Sequence, residues 1–140
     1  MTNFVRIFIL SCTLGFCSSY SLAQSAITQV SPELAMINEI SPQDFNQLVQ
    51  QNRFKSVILH RPEHDRGHGV TVYQLRDIAE QAKISLIYQP IDQAKNAQTD
   101  IQAFARYYNN LPKPILIMCK SGQRSMELYQ QAKQQGLLND

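Results

Sequence analysis

Along the chain, apolar positions at helical spacing alternate with short continuous apolar runs. Phe45, Leu48 and Val49 fall on one face after Ser41-Pro42-Gln43-Asp44, which supplies an N-cap serine, a first-turn proline and an acid. This predicts a helix ending near Gln51. Ser56–His60 is β-branched, apolar and bounded by polar residues, so it predicts a buried strand. Val72, Leu75, Ile78 and Ala79 predict a helix over Thr71–Ala82, and Ser85–Tyr88 a second strand stopped by Pro90. A helix from Thr99 or Asp100 carries Ile101, Phe104, Ala105 and Tyr108 on one face and ends near Leu111-Pro112. Pro114–Met118 is the most apolar strand, and Ser125–Gln135 is the last helix, with Gly136 beyond it as a stop. Glu33–Ile37 is expected to add an edge strand.

Strands alternating with helices of this length imply βαβ units and a sheet covered on both faces. The expected fold is therefore α/β: three layers, with a mainly parallel sheet of four or five strands flanked by helices. Sites in such sheets form at the carboxyl ends of the strands, which directs attention to Cys119, directly after the most apolar strand.

The beginning of the chain follows another pattern. Arg6 is the only charge before Glu33, Val5–Cys17 is apolar, and Ser21-Leu22-Ala23 offers small residues where a signal peptidase tests them. Residues 1–23 are expected to be an export signal, since thirteen apolar residues are short of the roughly 20 that span a bilayer as a helix. Cleavage after Ala23 would leave 117 residues, with an N-terminal segment at 24–39, a catalytic domain at 40–138 and two residues beyond it. The expected location is periplasmic or secreted, with no stable membrane insertion after cleavage. Cys12 and Cys17 would leave with the signal, so Cys119 would be the one remaining thiol, without an intramolecular disulfide partner.

Composition narrows the partners. Charged residues make up 17% of the 140, and the formal charge is +2. That balance excludes an acidic disordered tail and a basic nucleic-acid arm. The sequence does not specify an oligomeric state.

The chemistry is concentrated in Cys119-Lys120-Ser121-Gly122-Gln123-Arg124-Ser125. A loop that leaves a buried strand and enters a helix can turn successive backbone N–H groups inward as an anion-binding nest. Gly122 gives the freedom that such a curl requires, and Arg124 can fork onto two oxygens of a tetrahedral anion. Lys120, Ser121, Gly122, Gln123 and Arg124 are thus the expected anion-binding residues. The same dipoles and cation are expected to depress the pKa of Cys119 and make it a nucleophile, assisted by a hydroxyl hydrogen bond from Ser125.

The loop and its surroundings resemble the phosphatase-like domain family found fused to some β-lactamase-fold hydrolases, within the wider dual-specificity phosphatase and rhodanese-like group. The supporting stretches are Ser41–Phe45, Val57-Ile58-Leu59-His60-Arg61-Pro62, Tyr88-Gln89-Pro90-Ile91-Asp92 and Pro114–Ser125. The resemblance covers roughly Ile40–Leu137 and implies a compact phosphatase-like fold with no cofactor or metal. Asp92, 27 residues before Cys119, resembles the general acid of dual-specificity phosphatases. Four residues separate Cys119 from Arg124, where those phosphatases have five, and the shorter ring is the rhodanese pattern. Met118 stands where phosphatases place a histidine before the nucleophile.

Three functions follow. The first is a cysteine-dependent phosphatase-like hydrolase with Cys119, Arg124, Asp92 and Ser125 as catalytic residues. The second is a sulfurtransferase carrying a persulfide on Cys119, and the third a non-catalytic anion-binding or thiol-sensing module. The partner is a small anion, either a phosphate ester or a sulfane sulfur donor. His60, His64 and His68, with Glu63 and Asp65 between them, have metal-ligand chemistry. Pro62 and Gly67 argue for a solvated loop instead. Arg61 is expected at the rim of the site.

Overall fold

The computed structural model describes residues 27–38, 40–62, 70–91 and 97–139. The segment expected to be an export signal, Asp92, and the Glu63–His68 part of the histidine stretch lie outside the described residues. Among the described residues, nine elements follow in chain order: β1 (Thr28–Ser31), β2 (Leu34–Asn38), α1 (Pro42–Gln50), β3 (Ser56–Leu59), α2 (Val72–Gln81), β4 (Ser85–Tyr88), α3 (Gln98–Asn110), β5 (Ile115–Cys119) and α4 (Gln123–Gln134). They form one five-stranded sheet of order β1-β2-β5-β3-β4, parallel throughout except for the antiparallel β1.

The helix starts have visible local causes. Ser41 Oγ accepts from the backbone N–H of Asp44 at 3.1 Å, with Pro42 beginning α1. Thr71 and Gln74 form a reciprocal capping box at α2, with bonds of 3.2 and 2.9 Å.

β5 lies at the centre of the sheet, and its side chains serve both faces. Leu116 and Met118 pack with Phe45, Val49, Leu75 and Ala79 of α1 and α2. Ile115 and Ile117 pack with Phe104, Tyr108, Leu128 and Tyr129 of α3 and α4. Burial on both sides explains why this strand reads as an unbroken apolar run rather than an alternation.

One strand expectation is corrected. Leu34–Asn38 is not an edge strand: it pairs with β5 on one side and β1 on the other. Its first four side chains are buried, as an interior strand requires. The edge is β1, whose Thr-Gln-Val-Ser sequence gives only a faint strand signal.

Chain topology then fixes where a site can form. β3 and β5 are parallel neighbours with Leu59 opposite Met118. The chain leaves β3 towards α2 on one face of the sheet and leaves β5 for α4 on the other. Connections that diverge from adjacent strands open a crevice at their carboxyl ends. His60 and Cys119 stand side by side there, and the His60 N–H donates to the Met118 carbonyl at 2.9 Å.

Candidate active site

The crevice holds a pocket of about 220 Å³, lined by residues of three segments: His60, Arg61 and Pro62 after β3, Ile91 after β4, and the Cys119–Ser125 loop. That volume is below the roughly 300–1,000 Å³ of drug-sized ligand sites and suits a small head group. Cys119, Lys120, Ser121, Gly122, Arg124 and Ser125 all line it, so the structure brings together most of the residues expected from the sequence.

Gly122 is the pivot. It sits at φ 75°, the half of backbone space where an L side chain is strained, and it immediately precedes α4. A Cβ added there would meet Asn38 Oδ1 only at 3.7 Å, so the backbone angle, not crowding, calls for glycine. No side chain caps this helix start, which leaves first-turn N–H groups for an anion.

α4 begins at Gln123, two residues before the expected Ser125, so Gln123, Arg124 and Ser125 lie in its first turn. Successive helical residues point in different directions. Arg124 and Ser125 reach the pocket, whereas Gln123 does not line it and donates to Glu127 Oε1 at 3.2 Å. Any contribution of Gln123 to anion binding would come from its backbone N–H in the first turn of α4. Arg124 is held by a bond from Nη1 to the Ile91 carbonyl at 3.2 Å. That contact joins the ends of β4 and β5 across the pocket.

Arg61 does not stand at an exposed rim. It lines the pocket from within the protein, 2% exposed, and donates from Nη2 to the Val70 carbonyl. Its guanidinium contributes fixed positive charge to the pocket wall.

The expected low pKa of Cys119 is also corrected. Burial pushes the thiol up, and the nearby Ser125 hydroxyl and Gly122 N–H, which would stabilise a thiolate, oppose that without overcoming it. Cys119 is buried, and its sulfur lies 3.8 Å from the Ile37 carbonyl, the acceptor available to the S–H. The resting group is thus a thiol. Motif reading counts the helix terminus and the cations but not the desolvation of a sulfur enclosed between β2 and β3.

Sequence reasoning missed the role of His60. Its Nδ1 lies 2.8 Å from Ser125 Oγ, and its ring packs edge-on against Phe104 with centroids 5.9 Å apart. Burial lowers its pKa to about 3, with the neighbouring Gln89 side chain opposing the shift, so the ring is neutral. Met118 leaves no histidine immediately before the cysteine, but the next strand supplies one to the same hydroxyl that touches the sulfur. A histidine one residue beyond a buried strand was the available signal. Its use required the β3–β5 register.

The sequence pattern of the family described as "Beta-lactamase hydrolase-like protein, phosphatase-like domain" matches residues 26–136. The chain belongs to this family. Solved structures share the phosphatase-like fold. One, named as a candidate phosphatase from Neisseria meningitidis, is 22% identical, with 74% of this chain and 72% of that one aligned at a TM-score of 0.65. Another candidate phosphatase, from Shewanella putrefaciens, is 21% identical over 82% of this chain and 75% of its own, with a TM-score of 0.64. The catalytic core of the PP-IP phosphatase Siw14 from S. cerevisiae is 15% identical over 77% and 74% of the two chains, at 0.56. No curated protein matches the chain. For this phosphatase-like domain, membership accounts for the arrangement of the sheet and helices; the chemistry must be argued from the pocket.

Proposed function

We propose that this phosphatase-like domain hydrolyses a small phosphate ester through Cys119. The observation that carries this reading is the convergence of Cys119, Arg124, Ser125 and the α4 N-terminus on one small pocket at the switch point of the sheet. The family supports a phosphate-type anion as the ligand. In this reaction the Cys119 thiolate attacks phosphorus as the ester P–O bond breaks, and the leaving oxygen takes a proton from Asp92. Water then cleaves the S–P bond, giving inorganic phosphate and restoring the thiol. Arg124 and the loop amides hold the non-bridging oxygens, and Ser125 stabilises the sulfur as it leaves phosphorus. Lys120 and Arg61 add positive charge that suits a dianion. We also propose that the chain is exported, a reading supported by the apolar run Val5–Cys17 followed by Ser21-Leu22-Ala23. Among the described residues, no helix is long and apolar enough to cross a membrane.

A second reading is favoured by one observation, the four-residue spacing between Cys119 and Arg124. Here the thiolate takes the sulfane sulfur of a donor such as thiosulfate, releases sulfite, and passes the sulfur to an acceptor thiol. Parallel assays with an aryl phosphate and with thiosulfate plus a thiol separate the two. The phosphatase reading predicts phosphate release that Cys119→Ser abolishes and Asp92→Asn lowers by about 10²–10⁴-fold. Because the thiol is raised, the limb of the rate profile set by Cys119 climbs with pH into the alkaline range. A persulfide on Cys119 with undiminished transfer in Asp92→Asn, and no phosphate release, would establish the second reading.

A further inference from the structure

Behind the sulfur lies a buried row of polar groups that the proposed reaction leaves unused. Gln89 sits just after β4, and its Nε2 donates to the Asp100 backbone carbonyl of α3 at 3.0 Å. That bond fixes the amide, because only the nitrogen can face a carbonyl. The amide oxygen is then the atom left for His60. Gln89 Oε1 and His60 Nε2 are both buried, and neither completes a hydrogen bond of ordinary geometry. The two residues stand one step beyond the last β3–β4 register pair, Leu59 opposite Tyr88, and both reach α3, His60 at Phe104 and Gln89 at Asp100. Two lone pairs placed together would repel, so His60 carries its single proton on Nε2. Nδ1 is then an acceptor, and its partner at 2.8 Å, Ser125 Oγ, must be the donor.

Ser125 has one hydroxyl hydrogen and two acceptors within reach, His60 Nδ1 and Cys119 Sγ. We propose that Gln89 and His60 are positioning residues for Cys119: Gln89 holds His60 in the Nε2–H tautomer, and His60 in that form keeps the Ser125 hydroxyl turned away from the sulfur until the thiolate forms. Ionisation then requires the hydroxyl to swing from Nδ1 to Sγ, leaving a buried acceptor without its donor. The row makes the thiolate a state entered at a cost instead of the resting form. Among the described residues, the charged groups around the sulfur are Arg61 after β3, Lys120 in the loop and Arg124 on α4, with Asp100 of α3 behind Gln89. None of these changes in the variants below.

The proposal rests on Cys119 being the reacting group, and its test does not use ester turnover, so a chain inert on phosphate esters still decides it. In the ¹⁵N-labelled protein near neutral pH, long-range proton–nitrogen correlation is expected to show His60 protonated at Nε2 and bare at Nδ1. A proton on Nδ1 would overturn the assignment without any variant. The second readout is the pH midpoint of Cys119 alkylation by iodoacetamide, followed on the Cys119 peptide. Gln89→Met removes the lock, lets His60 donate from Nδ1, and releases the hydroxyl to the sulfur. The midpoint is expected to fall by about one pH unit, a tenfold larger thiolate fraction at lower pH. The same substitution in a Ser125→Ala background should leave the midpoint where Ser125→Ala alone puts it. An unchanged midpoint in Gln89→Met, or an equal shift without Ser125, would overturn the proposal.

Discussion

Arg124→Lys is expected to lower kcat/KM on an aryl phosphate by about 10²–10³-fold, the loss typical of removing one positioned donor from a developing oxyanion. The prediction comes from how the guanidinium is held. Arg124 lies in the first turn of α4 and is pinned through Nη1 to the Ile91 carbonyl at 3.2 Å, which orients the planar group at the pocket wall. Lysine keeps the charge but presents it as a compact ammonium on a flexible stem. It cannot use one nitrogen on Ile91 and others on two anion oxygens in a fixed plane. Far-ultraviolet circular dichroism and thermal melting should show a folded variant, so the loss reads on the site. A lysine variant with near-wild-type kcat/KM would mean that a point charge suffices and that Arg124 does not act as a fork.

The second large effect is on stability. His60 is neutral in the folded protein down to a pKa of about 3, against an ordinary value near 6.5 in the unfolded chain. Its folded value is depressed by burial. Below pH 6.5 the unfolded chain therefore binds a proton that the folded one refuses, and stability falls as pH falls towards 3. Between pH 7 and 4.5 this one group should remove on the order of 2–3 kcal/mol. Denaturant unfolding of wild type and His60→Asn across that range isolates it, because titrations common to both proteins cancel. The expected result is a wild-type advantage that shrinks by about that amount on acidification. A constant difference between the two proteins would mean that the buried imidazole accepts a proton in the folded state almost as readily as in water.

Those two residues mark what the sequence could and could not reveal. Periodicity and caps located the helices to within a few residues because their causes are local, as at Ser41 and Thr71. Cys119, Gly122 and Arg124 were legible for a similar reason: one continuous loop carries them, and strand, glycine and helix follow in order. β1 escaped because Thr-Gln-Val-Ser has little apolar character and is held mainly by pairing to β2. His60 escaped because its partner Ser125 is 65 residues away and meets it only through the β3–β5 register. The direction of the Cys119 shift was misjudged because desolvation depends on everything that encloses a sulfur, and no single motif records that.

The central claim is that Cys119 accepts a phosphoryl group. Rapid quenching of the protein during turnover of an aryl phosphate, followed by mass analysis of the Cys119 peptide under conditions that preserve a thiophosphate bond, tests it directly. The account predicts one added phosphoryl group on Cys119, absent in Cys119→Ser and accumulating when Ser125→Ala slows its release. Phosphate release with the Cys119 peptide unmodified at every quench time, and retained in Cys119→Ser, would contradict it.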